Sequence, residues 1–466
     1  MHYHRLSVLS VLAAALLGSP ATPLPTPWGE MLEKHKWIQI PGNWVTLGRP
    51  PDAATIDLHI ALKADRESAL VDALQEVSEP RHPKYIIFAA PLLEAYSRVS
   101  LLRFRYGAHL TKEQVAKLVA PHPNTLKLVI SWLGHNGVPP TSISLTHGGG
   151  WLTVVGVPVS RANKLLRASY QLYYHPGTNE TIIRTVGYAL PAAMHTHVRT
   201  VVPTTAFASR QLLQTEEVPR SRSSGAAEQA KNATSGESGN MLSHREAYEP
   251  DLHPSFLRWV YRMDAYKPKA TNRNKLGIVG YTNESPNQLD IIEFMSDYRT
   301  DATSAIPHVE SIVDGYQHLR GVQANLETQY ALALTFPTPV FYYRGTGYGA
   351  QLEPDPDGLG TLVPSPNDQY LQWLNYMTAQ ADSEIPRTIS LGYGTEEPNI
   401  SLEYANALCE MFAQLGARGV SVLAASGDAG VGQGKGCLTK DGDPQFYTIF
   451  PASCMCGVYY LFASCT

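Results

Sequence analysis

The stretch TISLGYGTEEPNISLEYANALCEMFAQLGARGVSVLAASGD, Thr388 to Asp428, decides the fold. It opens on a short apolar, β-branched run, passes through an amphipathic segment of helical length and closes on a second apolar run. A buried strand, a helix and another buried strand in that order require a crossover, and crossovers build parallel sheets covered on both faces. The same alternation continues upstream through LGIVGY, QLDIIEFMSDY, HVESIVDGY and GVQANLETQY. Residues 251–466 therefore read as an α/β domain with a parallel sheet. Ligands of such sheets gather at the carboxyl ends of strands, and Gly427 and Asp428 stand at one of those ends.

Nearer the N-terminus the pattern differs. TIDLHIALKA places Ile56, Leu58, Ile60 and Leu62 on one face and Asp57, His59 and Lys63 on the other, the signature of a half-buried strand. Asp65 is expected to cap a helix carrying Leu70, Leu74 and Val77, and Ser160 a helix carrying Ala162, Leu165 and Leu166. GGGWLTVVGVPVS and TIIRTVGYALP each read as one strand. An α+β domain over 37–205 results. Residues 209–250, rich in Ser, Gly, Ala and charge and without apolar periodicity, read as a linker open to proteases.

The 466 residues suggest two or three folding units, and 44% hydrophobic against 17% charged residues describe a globular protein. Lys plus Arg number 37 and Asp plus Glu 41, with no basic cluster, so neither nucleic acid nor a membrane is an expected partner. Residues 1–21 resemble a secretory signal peptide: Arg5 precedes an apolar run from Leu6 to Leu17, too short to span a bilayer. A secreted, extracellular location follows, and it suits the cysteines Cys409, Cys437, Cys454, Cys456 and Cys465 and the sequons at Asn179, Asn232, Asn283 and Asn399.

Within GVQANLETQY, Gln323 and Glu327 lie four residues apart on one helical face. The ordinary reading of such a pair is a solvated stripe on a surface helix. SGDAGVGQGKG fails as a phosphate loop, because Ala429 replaces the first glycine and Gly436 follows Lys435. No nucleophile elbow and no metal-ligand spacing is apparent either.

ISLGYGTEEP, EMFAQLGARGVSVLAASGDAGVG and FPASC resemble the sedolisins, the serine-carboxyl peptidases, and among them the secreted tripeptidyl peptidases of fungi. LQEVSEPRHPKY, GAHLTKEQVAKLVAP and ISWLGHNGV resemble the activation prodomain of that family. The resemblance implies a subtilisin-like parallel domain, restrained by its own prodomain as an intramolecular inhibitor and released in acid to act on peptide or protein substrates. In the family a Glu in an E-A-x-L-D helix is general base to a Ser of a later G-T-S motif, the helix Asp orients that Glu, and an Asp in S-G-D serves the oxyanion hole.

Carried onto this chain, Gln323 takes the place of the base Glu, Glu327 the place of the Asp, and Asp428 the oxyanion position. An amide has no lone pair basic enough to accept the serine proton, so Gln323 is not a general base. The family's nucleophile motif and Ca2+ ligands lie downstream of FPASC, and the sequence ends twelve residues beyond Cys454. A chain truncated at its C-terminus and inactive is expected, with a secreted, non-catalytic peptide-binding homologue as the alternative. Removing Ile86 to Tyr106 joins HPKY to GAHLTKEQV and restores the family's run, so 86–106 is read as an insertion.

Overall fold

The computed structural model describes residues 27–78, 107–177, 180–207, 252–269, 274–281, 284–312, 319–345, 351–353, 361–363, 369–428, 430, 444, 446–454 and 458–459. The stretches read above as signal peptide (1–21), insertion (86–106) and linker (209–250) lie outside them.

The N-terminal domain is antiparallel. Its strands are β1 (Met31–Lys36), β2 (Val45–Gly48), β3 (Thr55–Leu62), β4 (Ile143–Leu145), β5 (Trp151–Pro158), β6 (Gln171–His175), β7 (Glu180–Arg184), β8 (Gly187–Pro191) and β9 (Val198–Val202). They pair in the orders β4-β5-β3-β9, β2-β6-β7 and β1-β8. Helices α1 (Ala69–Ser78), α2 (Lys112–Val119), α3 (Pro123–His135) and α4 (Val159–Leu165) complete the domain. The period of two places Ile56, Leu58, Ile60 and Leu62 in a core with Val129, Trp132 and Leu133 of α3. Each such fully buried side chain contributes about 1.5–3 kcal/mol over its exposed state.

Several local expectations are corrected. Helix α1 starts at Ala69, beyond the reach of Asp65, whose N–H donates instead to the Ala120 carbonyl at 3.1 Å. Ser160 lies inside α4, where Pro158 occupies the N-cap without a side-chain bond. TIIRTVGYALP is two strands, because Thr185 breaks the run and its hydroxyl donates to the Gly187 carbonyl at 2.8 Å. Strand β1 lies ahead of Trp37 and pairs with β8.

The C-terminal domain begins with the short helix α5 (Pro254–Val260) and holds a parallel sheet of β10 (Leu276–Gly280), β11 (His308–Ser311), β12 (Val340–Arg344), β13 (Thr388–Leu391), β14 (Ser421–Ala424) and β15 (Val458–Tyr459). Their spatial order is β11-β12-β10-β13-β14-β15. Helices α6 (Gln288–Tyr298) and α7 (Val322–Thr335) cover one face, packing Ile291, Met295, Ala324 and Leu332 on Ile278, Val340 and Tyr342. Helices α8 (Gln369–Ala379) and α9 (Leu402–Ala417) cover the other, packing Trp373, Leu374, Leu408 and Phe412 with Val279, Tyr343 and Ile389. Strand β10 feeds one helical layer while both its neighbours feed the other, so the topological switch lies at its carboxyl end. The reading of the sequence passed over β12 and α8. Cys409 of α9 is joined to Cys454, a pairing the spacing left open.

The two domains share α9. Its Ala413 and Ala417 pack against Leu70, Leu74, Val115 and Val119 of α1 and α2. The Ala417 carbonyl accepts from the Leu110 N–H at 2.8 Å, and Arg199 of β9 pairs with Glu410 at 3.1 Å. Asp382 accepts from the Lys112 N–H at the head of α2, at 3.0 Å, and pairs with Arg418 at 2.7 Å.

The Gly107 N–H donates to the Val77 carbonyl at 2.9 Å, so the chain returns to the end of α1 after the 79–106 span. Deleting Ile86 to Tyr106 shortens that span about fourfold, and each halving of a loop lowers the closure cost by roughly 0.6 kcal/mol. The deleted chain is expected to melt no lower than the parent by circular dichroism. A fall of more than about 5 °C would show that the passage belongs to the fold.

Candidate active site

Helix α7 departs from a simple amphipathic pattern in its first turns. Its apolar Val322 and Leu326 are 72% and 46% exposed, while Gln323 and Glu327 are half-buried. The buried stripe is Ala324, Thr328, Leu332 and Ala333, and Gln323 and Glu327 flank it at the helix's first turns. The solvated-stripe reading is therefore excluded.

Gln323 Nε2 donates to Glu327 Oε1 at 2.7 Å. The other carboxyl oxygen, Glu327 Oε2, is buried and has no hydrogen-bond partner among the described residues. Both side chains press on Gly392, directly after β13. A Cβ there would lie 1.9 Å from Glu327 Oε1 and 3.1 Å from Gln323 Nε2, so any larger residue would displace the pair. Burial pushes the Glu327 carboxyl up to about 7, the Gln323 amide opposes this, and the negative charge of Glu284 adds to the rise.

Glu284 is the residue that sequence reasoning missed. It follows β10 at the topological switch, and its carboxylate packs on Gly321, the N-cap of α7, where a Cβ would lie 1.9 Å from Oε2. A carboxylate is favoured at a helix N-terminus. Tyr342 of β12 donates to the Glu284 carbonyl at 3.4 Å, and its phenol is raised well above its ordinary value by burial and by the acidic neighbours. The usable signal was its place after an apolar parallel strand, since no motif marks YTNES.

Asp428 follows β14, the neighbour of β13, and the two strand ends are tied by the Ala425 N–H to the Leu391 carbonyl at 3.0 Å. The chain turns at Gly427, with φ of +94°, to present it. Asp428 is exposed, and desolvation by its surroundings raises its carboxyl. Gln323, Glu327, Glu284 and Asp428 thus stand at the carboxyl edge of three adjacent strands. Of the sequons, Asn399 is half-buried against the N-terminal domain, its carbonyl accepting from the Phe207 N–H at 3.2 Å. Asn179, Asn232 and Asn283 lie outside the described residues. Among those residues, no group of three or more His, Cys, Asp or Glu is placed to hold a metal ion, so no calcium ligand set is identified.

Two outcomes follow from this geometry. Between the ordinary glutamate value and about 7 the folded chain keeps a proton on Glu327 that the unfolded chain has released. Stability therefore falls as pH rises through that window. Glu327→Gln should remove this component, equalling the parent near pH 4 and exceeding it by at most about 3 kcal/mol near pH 7.5, read from denaturant titrations. Identical pH slopes for the two would refute the assignment. Gly392→Ala should force Glu327 from Gln323 and lower stability by about 1–3 kcal/mol.

Comparison with known proteins places the chain. Residues 42–207 match the pro-kumamolisin activation domain. Tripeptidyl-peptidase SED2 of Arthroderma otae is 28% identical over 449 residues, covering 94% of this chain and 68% of that protein. Tripeptidyl-peptidase SED4 of the same organism is 28% identical over 456 residues, covering 96% and 68%. Probable tripeptidyl-peptidase SED3 of Trichophyton verrucosum is 30% identical over 441 residues, covering 89% and 64%. An antiparallel activation domain ahead of a parallel sheet, with these homologues spanning both, makes the chain a precursor of the sedolisin, or tripeptidyl-peptidase, family.

Proposed function

We propose that this chain is a secreted precursor of the tripeptidyl-peptidase type whose cleft holds peptides at the carboxyl edge of the sheet, and whose turnover in acid is lost at Gln323. The observation that carries the reading is the first turns of α7, where Gln323 and Glu327 are half-buried and bonded to each other while Val322 and Leu326 are exposed. In the family arrangement a carboxylate at the first position takes the serine proton and a second carboxylate orients it. Here the first is an amide, which can hold Glu327 in place by its N–H but accepts no proton. Glu327 keeps its own proton below about 7 and so donates rather than accepts in acid. Asp428, with its carboxyl raised, suits the remaining role: neutral in acid, it donates a hydrogen bond to a developing oxyanion.

The activation domain grips α9, on the opposite face of the sheet from α7. It acts as intramolecular inhibitor and folding template in this reading. The Arg199–Glu410 pair and Asp382 with Lys112 and Arg418 hold it in place. Calcium, expected for the family, enters no step proposed for these residues.

A second reading, a non-catalytic secreted homologue that binds peptides, is favoured by Gln323 itself. Both readings are tested on unblocked Ala-Ala-Phe anilide at pH 4 and pH 7. The expected outcome is binding, seen by calorimetry, with no tripeptide released at pH 4. Tripeptide release in acid would overturn the loss of turnover. Absence of binding at either pH would overturn the peptide cleft altogether.

A further inference from the structure

Arg344 closes β12 at the same carboxyl edge, yet the site described above makes no use of it. It is buried, with 6% of its surface exposed. One terminal nitrogen donates to the Ser285 hydroxyl at 3.1 Å and the other to the Ser311 hydroxyl. Those hydroxyls are neutral, and no carboxylate among the described residues forms an ion pair with it. Glu310, on the neighbouring strand, is engaged by the Tyr376 hydroxyl, and the Glu284 carboxylate packs on Gly321. Burial lowers the proton affinity of the guanidinium, the mark of a charge short of compensation.

Of the two other buried arginines, Arg184 donates to the Ala206 and Ile183 carbonyls, and Arg418 at the domain junction is completed by a carboxylate. Arg418 pairs with Asp382 and also donates to the carbonyls of Thr378 and Gln380, at 3.0 and 2.7 Å. A guanidinium out of water has an effective desolvation penalty of several kcal/mol, offset by a charge partner and further hydrogen bonds. Arg344 has two neutral partners and donors to spare among its five N–H groups. It stands at the topological switch, beside Ser285, whose neighbour Glu284 acts on Glu327. Its planar fork matches a carboxylate bidentately, and Ser285 and Ser311 fix its orientation.

We propose that Arg344, oriented by Ser285 and Ser311, is a carboxylate-binding subsite, and that in a bound peptide it takes an acidic side chain. The naming of a peptide rests on the cleft reading of the preceding subsection. The carboxylate site does not.

The test uses the full chain at pH 6.5. Sodium acetate, at constant ionic strength against chloride, should raise the melting temperature of the parent by about 2 °C or more through mass action. It should do so neither for Arg344→Gln nor, to the same extent, for the Ser285→Ala/Ser311→Ala pair, which keeps the charge. Acetyl-Ala-Glu-Ala-amide should bind at least about tenfold tighter than acetyl-Ala-Gln-Ala-amide, roughly the 1.4 kcal/mol of one charge-assisted contact. Arg344→Gln should abolish that preference. Acetyl-Ala-Ala-Ala with a free terminus reports a main-chain carboxylate, and tighter binding of it than of the glutamate peptide would overturn the side-chain assignment. No acetate effect, or a glutamate preference that survives Arg344→Gln, overturns the subsite. An acetate effect with no peptide binding supports the subsite and removes the peptide cleft.

Discussion

The architecture depends on one helix being buried on two sides. Helix α9 packs Tyr404, Leu408, Met411, Phe412 and Leu415 toward the parallel sheet. Its alanines Ala413 and Ala417 face the activation domain. Small side chains there let α1 and α2 approach closely, while the larger ones fill the space above the strands. A helix apolar around most of its circumference is stable only between two layers. The activation domain is therefore the outer wall of the α9 layer, and its removal would bare part of that helix. At the rim the Arg199–Glu410 ion pair and the Lys112 backbone N–H donated to Asp382 add polar contacts of modest worth.

At the other face, α7 solves the opposite problem. Polar groups at the carboxyl ends of strands are held out of water by the glycines that let them in. Gly321 admits Glu284, and Gly392 admits Glu327 and Gln323. Low dielectric then decides protonation: a glutamate with a neutral amide beside it and another carboxylate nearby keeps its proton toward neutrality. The Gln323 amide opposes this rise in proton affinity without cancelling it, so the Glu327 carboxyl holds a proton of its own.

Much of this was legible in the residues. The strands TIDLHIAL, LGIVG and TISL follow from period-two alternation or from short apolar runs, and α9 follows from its helical length and apolar density. Strand β12 was missed because VFYYR is short, aromatic and ends in a charge, features that fit an edge or a loop as well as a buried strand. Helix starts were misplaced at Asp65 and Ser160 because a capping side chain competes with what the preceding strand allows, and that is a tertiary matter.

By itself the sequence determined the two domain classes and the membership carried by its motifs. Those depend on local periodicity and on residue identity, which no packing can alter. Only the tertiary structure decided which way α7 faces, that Cys409 meets Cys454, and that Glu284 and Arg344 reach the edge where Gln323 and Glu327 stand. These are meetings between residues far apart in the chain, fixed by strand order and by the space that glycines leave, and a linear pattern contains neither.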